Sequence, residues 1–176
     1  KQQMGMQLFT QIVDQAVRAG IRQLQLSNVC EPLLDDLLFQ RIRYAKDKGV
    51  EVRFVSNGTL LTDKKISQIL DSGVDRITFS FDGATRETYE AIRVGADFES
   101  AKGNILSLLE ERNRRGLKAP FVTMNFTVLQ DNFHEVPEFR KQWAGVADLI
   151  TFGQANHWTE EVVVPGGLDI RHCRAY

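Results

Sequence analysis

Residues 50–83 read VEVRFVSNGTLLTDKKISQILDSGVDRITFSFDG, two extended runs with a helical stretch between them. Residues 50–56 have the pattern of a strand, Asn57-Gly58 makes a turn, and Thr62 caps the helix that follows. Ile66, Ile69 and Leu70 line the buried face of that helix, Gly73 ends it, and residues 74–81 are strand-like again. Strands separated by a helix imply a right-handed crossover and parallel pairing.

The same alternation extends outward in both directions. Upstream, Leu8, Ile12, Val13, Ala16 and Val17 recur at helical spacing over residues 4–19, and Gly20 closes that helix. A short strand is expected over 21–27 and a helix over 36–48, with Leu38, Ile42 and Ala45 on one face. Downstream come a short helical piece at 86–93, a longer helix at 98–115 with Ile105, Leu108 and Leu109 inward, and a strand at 121–129. A helix at 133–143 and a strand at 148–153 complete the series, and residues 161–164 form a candidate edge strand. The whole is an α/β chain with a parallel sheet, closing either as an open Rossmann-like sheet or as a barrel. No Gly-x-Gly-x-x-Gly follows any strand, which weakens the dinucleotide-binding version.

A chain of 176 residues suits one domain with a sizeable core, and 43% hydrophobic with 26% charged residues is ordinary for a globular protein. A formal net charge of −1 gives no electrostatic reason to expect nucleic acid or an anionic membrane as partner. No apolar run is long enough to span a bilayer, and no secretory signal opens the chain. The two cysteines, Cys30 and Cys173, are far apart in sequence and do not suggest a disulfide framework, so a reducing, cytoplasmic setting is the default expectation. The chain starts at Lys1 without an initiator methionine and stops at Tyr176 without a cap or tail, as a fragment would.

In this class of fold, ligands bind at the carboxyl ends of the strands. The loops there cover residues 28–35, 57–61, 82–93, 130–132 and 154–158, and they hold most of the unusual chemistry. The first contains Cys30-Glu31-Pro32-Leu33-Leu34 after a strand, similar to the Gly-Gly-Glu-Pro-Leu segment of radical S-adenosylmethionine (SAM) enzymes. Ser56-Asn57-Gly58-Thr59-Leu60-Leu61 resembles that superfamily's Thr-Asn-Gly-Thr-Leu-Leu stretch. Ser80-Phe81-Asp82-Gly83, followed by Tyr89-Glu90-Ala91-Ile92-Arg93, resembles its Ser-Leu-Asp-Gly segment. Three motifs in the right order, each ending a successive strand, make the resemblance fairly specific over residues 4–158.

The resemblance implies a partial (β/α)₆ TIM-like barrel in which this chain supplies strands two to six. The first strand is missing, and a Cys-x-x-x-Cys-x-x-Cys loop holding a 4Fe–4S cluster is expected just before Lys1. Residues 1–158 would be the N-terminally truncated barrel, and 159–176 the start of a C-terminal SPASM or twitch-like extension. In such enzymes, of oxidoreductase or maturase type, SAM on the cluster yields a 5′-deoxyadenosyl radical for C–H activation. A peptide, protein or small-molecule substrate and an electron donor such as flavodoxin or ferredoxin are implied as partners, with neither nucleic acid nor membrane.

By the same resemblance, the Cys30–Pro32 loop would meet the methionyl ammonium through backbone carbonyls, with Glu31 supplying charge or bracing the loop. Ser80 would serve the ribose or carboxylate, Asn57 the ribose, and Arg93 the carboxylate through its planar fork. Cys173 would be a ligand of an auxiliary iron–sulfur cluster.

Each residue also has a plainer reading. Asn57-Gly58 fits an ordinary turn, Asp82 a cap of the following turn, and Arg93 a surface partner of Glu87, Glu90 or Asp97. Cys30 fits a small semi-buried thiol, and Arg112–Arg115 a solvated helix end. His134, His157 and His172 lack metal-ligand spacing, and Gln154, Asn156 and Trp158 are candidates for the substrate mouth. Val29-Cys30 stands where the superfamily has two glycines, which keeps open a degenerate, non-catalytic barrel serving as a binding or scaffold module. An unrelated α/β enzyme is the third reading, marked by a flat sheet without a cavity bounded by Glu31, Ser80 and Arg93.

Overall fold

A computed structural model describes residues 4–27 and 30–154. In chain order, α1 (Met6–Arg18) leads to β1 (Gln23–Gln25), and a 3₁₀ turn (Pro32–Leu34) precedes α2 (Leu38–Asp47) and β2 (Glu51–Ser56). Next come α3 (Asp63–Ser72), β3 (Arg76–Ser80), α4 (Arg86–Ile92), α5 (Phe98–Arg114) and β4 (Phe121–Val128). A second 3₁₀ turn (Phe133–Glu135), α6 (Val136–Trp143) and β5 (Leu149–Gln154) complete the described part.

All five strands pair in parallel, and their order across the sheet is their order in the chain, β1-β2-β3-β4-β5. An open dinucleotide-type sheet reverses direction at a switch point, and this sheet has none among the described residues. Right-handed crossovers that always step the same way place every helix on one face, and the sheet curls around the other. That is the wall of a partial (β/α) barrel, the closure that periodicity alone left open.

The two faces differ sharply. Val52, Phe54, Ile77, Phe79, Val122, Met124 and Phe126 are buried and belong to one core with Ile42, Ile69, Ile105 and Phe139 from the helices. The residues between them along the strands point to the inner side. Thr78 pairs with Thr123, Ser80 with Asn125, and Asn125 with Thr151, so hydroxyls and amides line up across that face. The Thr151 hydroxyl donates to Asn125 Oδ1 at 3.0 Å. A closed barrel fills its interior with branched apolar side chains, whereas these polar positions remain partly exposed.

Several local expectations hold. Thr62 Oγ1 accepts from the Lys65 N–H at 3.3 Å, and Gly73 ends α3 at φ 75°. Others need correction. Strand β1 is three residues long, and Pro32–Leu34 adds a 3₁₀ turn that the pattern did not announce. Helix α1 turns Phe9 and Val13 inward and leaves Leu8 and Ile12 exposed, because only that stripe reaches α2 and the core. Arg112 is not a solvated helix end: it is buried, ion-paired to Asp148, and donates to the Pro120 carbonyl at 2.8 Å. Burial pushes the Asp148 carboxyl up, but the Arg112 guanidinium and the Val122 N–H more than offset it and hold it below the usual carboxylate range. Arg114, by contrast, is solvated as expected; His134 is exposed.

Candidate functional site

Two clusters of side chains form at the carboxyl ends of the strands. The first is built by Glu31, whose extended backbone precedes Pro32 at the start of the 3₁₀ turn. Its Oε1 accepts from the Leu33 N–H at 3.1 Å and from the Ser56 hydroxyl at 2.8 Å, while Oε2 accepts from the Asn57 N–H at 2.8 Å. One carboxylate thereby ties the loop after β1 to the end of β2. Hydrogen bonds to a charged group contribute about 1.5–3 kcal/mol each. Of its two implied roles, Glu31 performs the bracing one.

Asn57 continues from this brace. Its Oδ1 accepts from the Thr59 N–H at 3.0 Å and the Thr59 hydroxyl at 2.7 Å, a side-chain turn that leaves its Nδ2 without a partner among the described residues. Gly58 follows at φ 75°, and a Cβ there would stand 3.0 Å from Ile105 Cδ1, so both backbone and space demand glycine. Cys30 lies beside this cluster but is exposed, not semi-buried, because Glu31 and Pro32 are what turn inward. Asn28 and Val29 lie outside the described residues.

The second cluster joins β3 to the end of α4. Arg93 does not pair with Glu87, Glu90 or Asp97. It is ion-paired to Asp82, with Nε 3.0 Å from Oδ2 and Nη2 also donating to that oxygen, and Nη2 donates to Ser80 Oγ at 2.6 Å. The other Asp82 oxygen, Oδ1, accepts from the Thr127 N–H at 2.7 Å. Asp82 is therefore no cap of the following turn; Thr85 caps α4 instead. The side chains of Arg93 and Asp82 are 13% and 6% exposed, so most of this pair is shielded from water. Arg93 Nη1 has no partner among the described residues, which leaves that one nitrogen of the guanidinium available to an anion.

The clusters meet at a cavity of about 350 Å³ lined by Asn57, Thr59, Tyr89, Arg93, Asp97 and Ser100, among others. That size lies in the usual range for small-molecule sites. Tyr89 is wholly buried in the wall, stacked on Phe81 at 4.4 Å, and its hydroxyl has no hydrogen-bond partner among the described residues. Burial, reinforced by the Asp82 carboxylate and only partly opposed by Arg93, pushes that hydroxyl up to about 12, so it stays a neutral donor. Glu31 and Ser80 support the site from behind and do not line this cavity.

Sequence reasoning thus placed Glu31, Asn57, Ser80 and Arg93 in one region and missed Asp82 as the anchor of Arg93. It also passed over Asn132 and Glu135, buried polar residues that hold the Asp82 loop from below. An asparagine three residues before a glutamate, at the end of a strand, was the available signal. Among the described residues no three His, Cys, Asp or Glu gather into a metal site, and none of their helices is long and apolar enough to cross a membrane. Cys173, His157, His172, Asn156, Trp158 and the candidate strand at 161–164 lie outside the described residues; Gln154 ends β5, exposed.

A family model described as the Radical SAM superfamily matches residues 3–142. The chain belongs to that superfamily. Among its relatives, a "Probable GTP 3′,8-cyclase" of Methanococcus maripaludis (strain C5) is 34% identical over 142 residues, covering 80% of this chain and 46% of the relative. An "AdoMet-dependent heme synthase" of Methanosarcina barkeri is 33% identical over 144 residues, covering 80% of this chain and 39% of the relative. The chain therefore spans less than half the length of these radical SAM proteins. Streptococcus suis SuiB bound to S-adenosylmethionine shares the fold at a TM-score of 0.73 and 12% identity, covering 98% of this chain and 37% of SuiB. Membership in the radical SAM superfamily removes the unrelated α/β enzyme reading.

The donor set can be tested against SAM, whose carboxylate, ammonium, ribose and adenine need several convergent polar groups. A shielded guanidinium with one free nitrogen and a free asparagine amide meet at one cavity, with Tyr89 in its wall, which fits a small polar ligand carrying a carboxylate.

Proposed function

We propose that this chain is the SAM-binding core of a radical SAM enzyme, with its 4Fe–4S cluster held by a segment outside the described residues. The observation that carries this reading is Arg93, fixed by Asp82 and Ser80 at the end of β3, with Nη1 unpartnered among the described residues and the side chain lining the cavity it shares with Asn57. Held beside such a cluster, SAM would supply, on one-electron reduction with release of methionine, a 5′-deoxyadenosyl radical able to abstract hydrogen from an unactivated C–H bond.

The residues present bind and orient. Arg93 pairs with the SAM carboxylate while Asp82 keeps its guanidinium plane from rotating, and Ser80 holds the same nitrogen from the sheet side. Asn57 Nδ2 donates to the ribose, and the Glu31 brace sets the distance between the Cys30–Pro32 loop, which meets the ammonium, and the Asn57 turn. Holding these groups on strand ends, each fixed by buried partners, removes the cost of ordering them when the ligand arrives. For the substrate, the names of relatives above 30% identity point to small metabolites, while SuiB, which also has a structure bound to its precursor peptide SuiA, keeps a peptide in view. Cys173 would ligate an auxiliary cluster of a SPASM or twitch-like extension.

The test is anaerobic reconstitution of the full-length protein with iron and sulfide, followed by dithionite and SAM. The reading expects 4Fe–4S absorption and 5′-deoxyadenosine, with the yield of 5′-deoxyadenosine sharply reduced by Arg93→Ala. SAM binding without any 5′-deoxyadenosine, cluster intact, would instead favour the non-catalytic barrel.

A further inference from the structure

We infer that Asn132 and Glu135 are positioning residues of the SAM carboxylate site, acting through the loop between β3 and α4; this rests on the reading of Arg93 above. Neither residue touches Arg93. Both are buried, at 0% and 6% exposure, beyond the end of β4, some fifty positions from the loop they hold.

Asn132 uses its whole amide. Nδ2 donates to the Asp82 carbonyl and to the Thr127 carbonyl, each at 2.9 Å, and Oδ1 accepts from the Leu129 N–H at 2.6 Å. It thereby locks the backbone of Asp82 to the residue whose N–H holds the Asp82 carboxylate, Thr127. Glu135 takes Ala84 and Thr85. Its Oε2 accepts from the N–H groups of Ala84 and Thr85 at 2.6 and 3.3 Å, and its Oε1 from the Thr85 hydroxyl at 2.5 Å. Gln142 of α6 completes the clamp by donating to the Ala84 carbonyl at 2.9 Å.

The loop over residues 82–85 therefore hangs from the β4–α6 segment at three of its residues, through side chains that a merely solvated loop would not need. A buried carboxylate is costly unless its acceptor sites are filled, and the sites of Glu135 are filled by the loop it holds. The loop's first residue carries Arg93 and its last caps the helix that ends at Arg93. A shift of the loop moves both attachments of the guanidinium together. The adenosine end of the ligand is not held by this loop in the proposed site, so loss of the clamp should be felt at the carboxylate alone.

The experiment uses the full-length, cluster-reconstituted protein and two probes: SAM, and 5′-methylthioadenosine, which keeps the adenosine and lacks the carboxylate. Asn132→Ala and Glu135→Gln are each expected to weaken SAM about tenfold while methylthioadenosine stays within about twofold. Gln142→Met, which removes one anchor from a less buried position, is expected to weaken SAM about threefold with the same selectivity. In an Arg93→Lys background the further effect of each variant on SAM should fall below about twofold. Equal weakening of both probes, unchanged SAM affinity, or undiminished effects in the Arg93→Lys background would each overturn the positioning role. If Asn132→Ala does not fold, the other two variants decide. If Arg93→Lys itself leaves SAM affinity unchanged, the carboxylate-site reading falls, and this inference falls with it.

Discussion

Gly83 makes a quantitative test of how the loop and α4 fit together. A Cβ added there would lie 2.6 Å from Tyr89 N, 2.7 Å from its Cα and 2.8 Å from its Cβ, where ordinary contact begins at 3.4 Å. The obstacle is backbone in the middle of α4, so no side chain can swing aside; the helix must move by the better part of an ångström. That motion would drag Tyr89 off Phe81, to which it stacks at 4.4 Å, and off Phe98 at 5.6 Å. Overpacking of this kind costs about 1–3 kcal/mol, and the two aromatic pairs hold about 0.5–1.5 kcal/mol each, so Gly83→Ala should destabilise by at least about 2 kcal/mol. Gly103, inside α5 with nothing within 4 Å of its Cβ direction, is the control: Gly103→Ala should stabilise by about 0.5–1 kcal/mol. Urea unfolding of the full-length protein reads both as midpoint shifts of opposite sign at constant slope. Gly83→Ala as stable as Gly103→Ala would refute the packing of the loop against α4.

Three further outcomes follow from other parts of the molecule. Asp148→Asn strands the buried Arg112 cation and weakens the acceptor for the Val122 N–H, so a loss of about 2–3 kcal/mol is expected, reduced from the fully buried case because Asp148 is partly exposed; Arg114→Gln, on the same helix but solvated, should leave the unfolding midpoint where it is. Burial raises the Glu135 carboxyl, but Thr85, Thr88 and the N–H groups of Ala84 and Thr85 more than offset it, and Asp148 is lowered likewise. The unfolded chain then binds more protons in acid, so this stabilisation is complete above the unfolded values of 4.5 and 3.8 and is lost as pH falls through the lower folded ones; melting curves should stay flat to about pH 5 and drop below it, less steeply in Glu135→Gln, and a flat profile down to pH 3 would contradict the clamp. Gly58→Ala forces a side chain into φ 75° and against Ile105, at a cost of about 1–2 kcal/mol, and SAM titration should register the displaced Asn57 turn as weaker binding.

The parts of the fold that depend on neighbours along the chain were legible. Thr62 and Gly73 mark the ends of α3 because a cap is a contact across three residues, and the strands from β2 onward show in their alternation. What stayed hidden is non-local. Asp82 reads as a turn residue until Arg93 is brought beside it from eleven residues on and the Thr127 N–H from forty-five. Arg112 looks like its neighbours in a basic helix end, and only the arrival of Asp148, thirty-six residues away, singles it out. Leu8 and Ile12 share the helical period of Phe9 and Val13, and which stripe is buried depends on where α2 lies. The closure of the sheet was not a matter of periodicity at all; it came from strand order.

The contrast between the two faces of the sheet has a consequence for how such a chain can change over time. Along β3 and β4, Ile77, Phe79, Val122, Met124 and Phe126 answer to the core, while Thr78, Ser80, Thr123, Asn125 and Thr127, interleaved with them, answer to whatever the barrel encloses. Neighbouring codons therefore evolve under separate constraints. Exchanging Thr123 or Thr151 for another residue of similar size alters the polarity of the inner face and leaves the buried core untouched. A wall built this way can change its inner surface one side chain at a time, without first being made stronger.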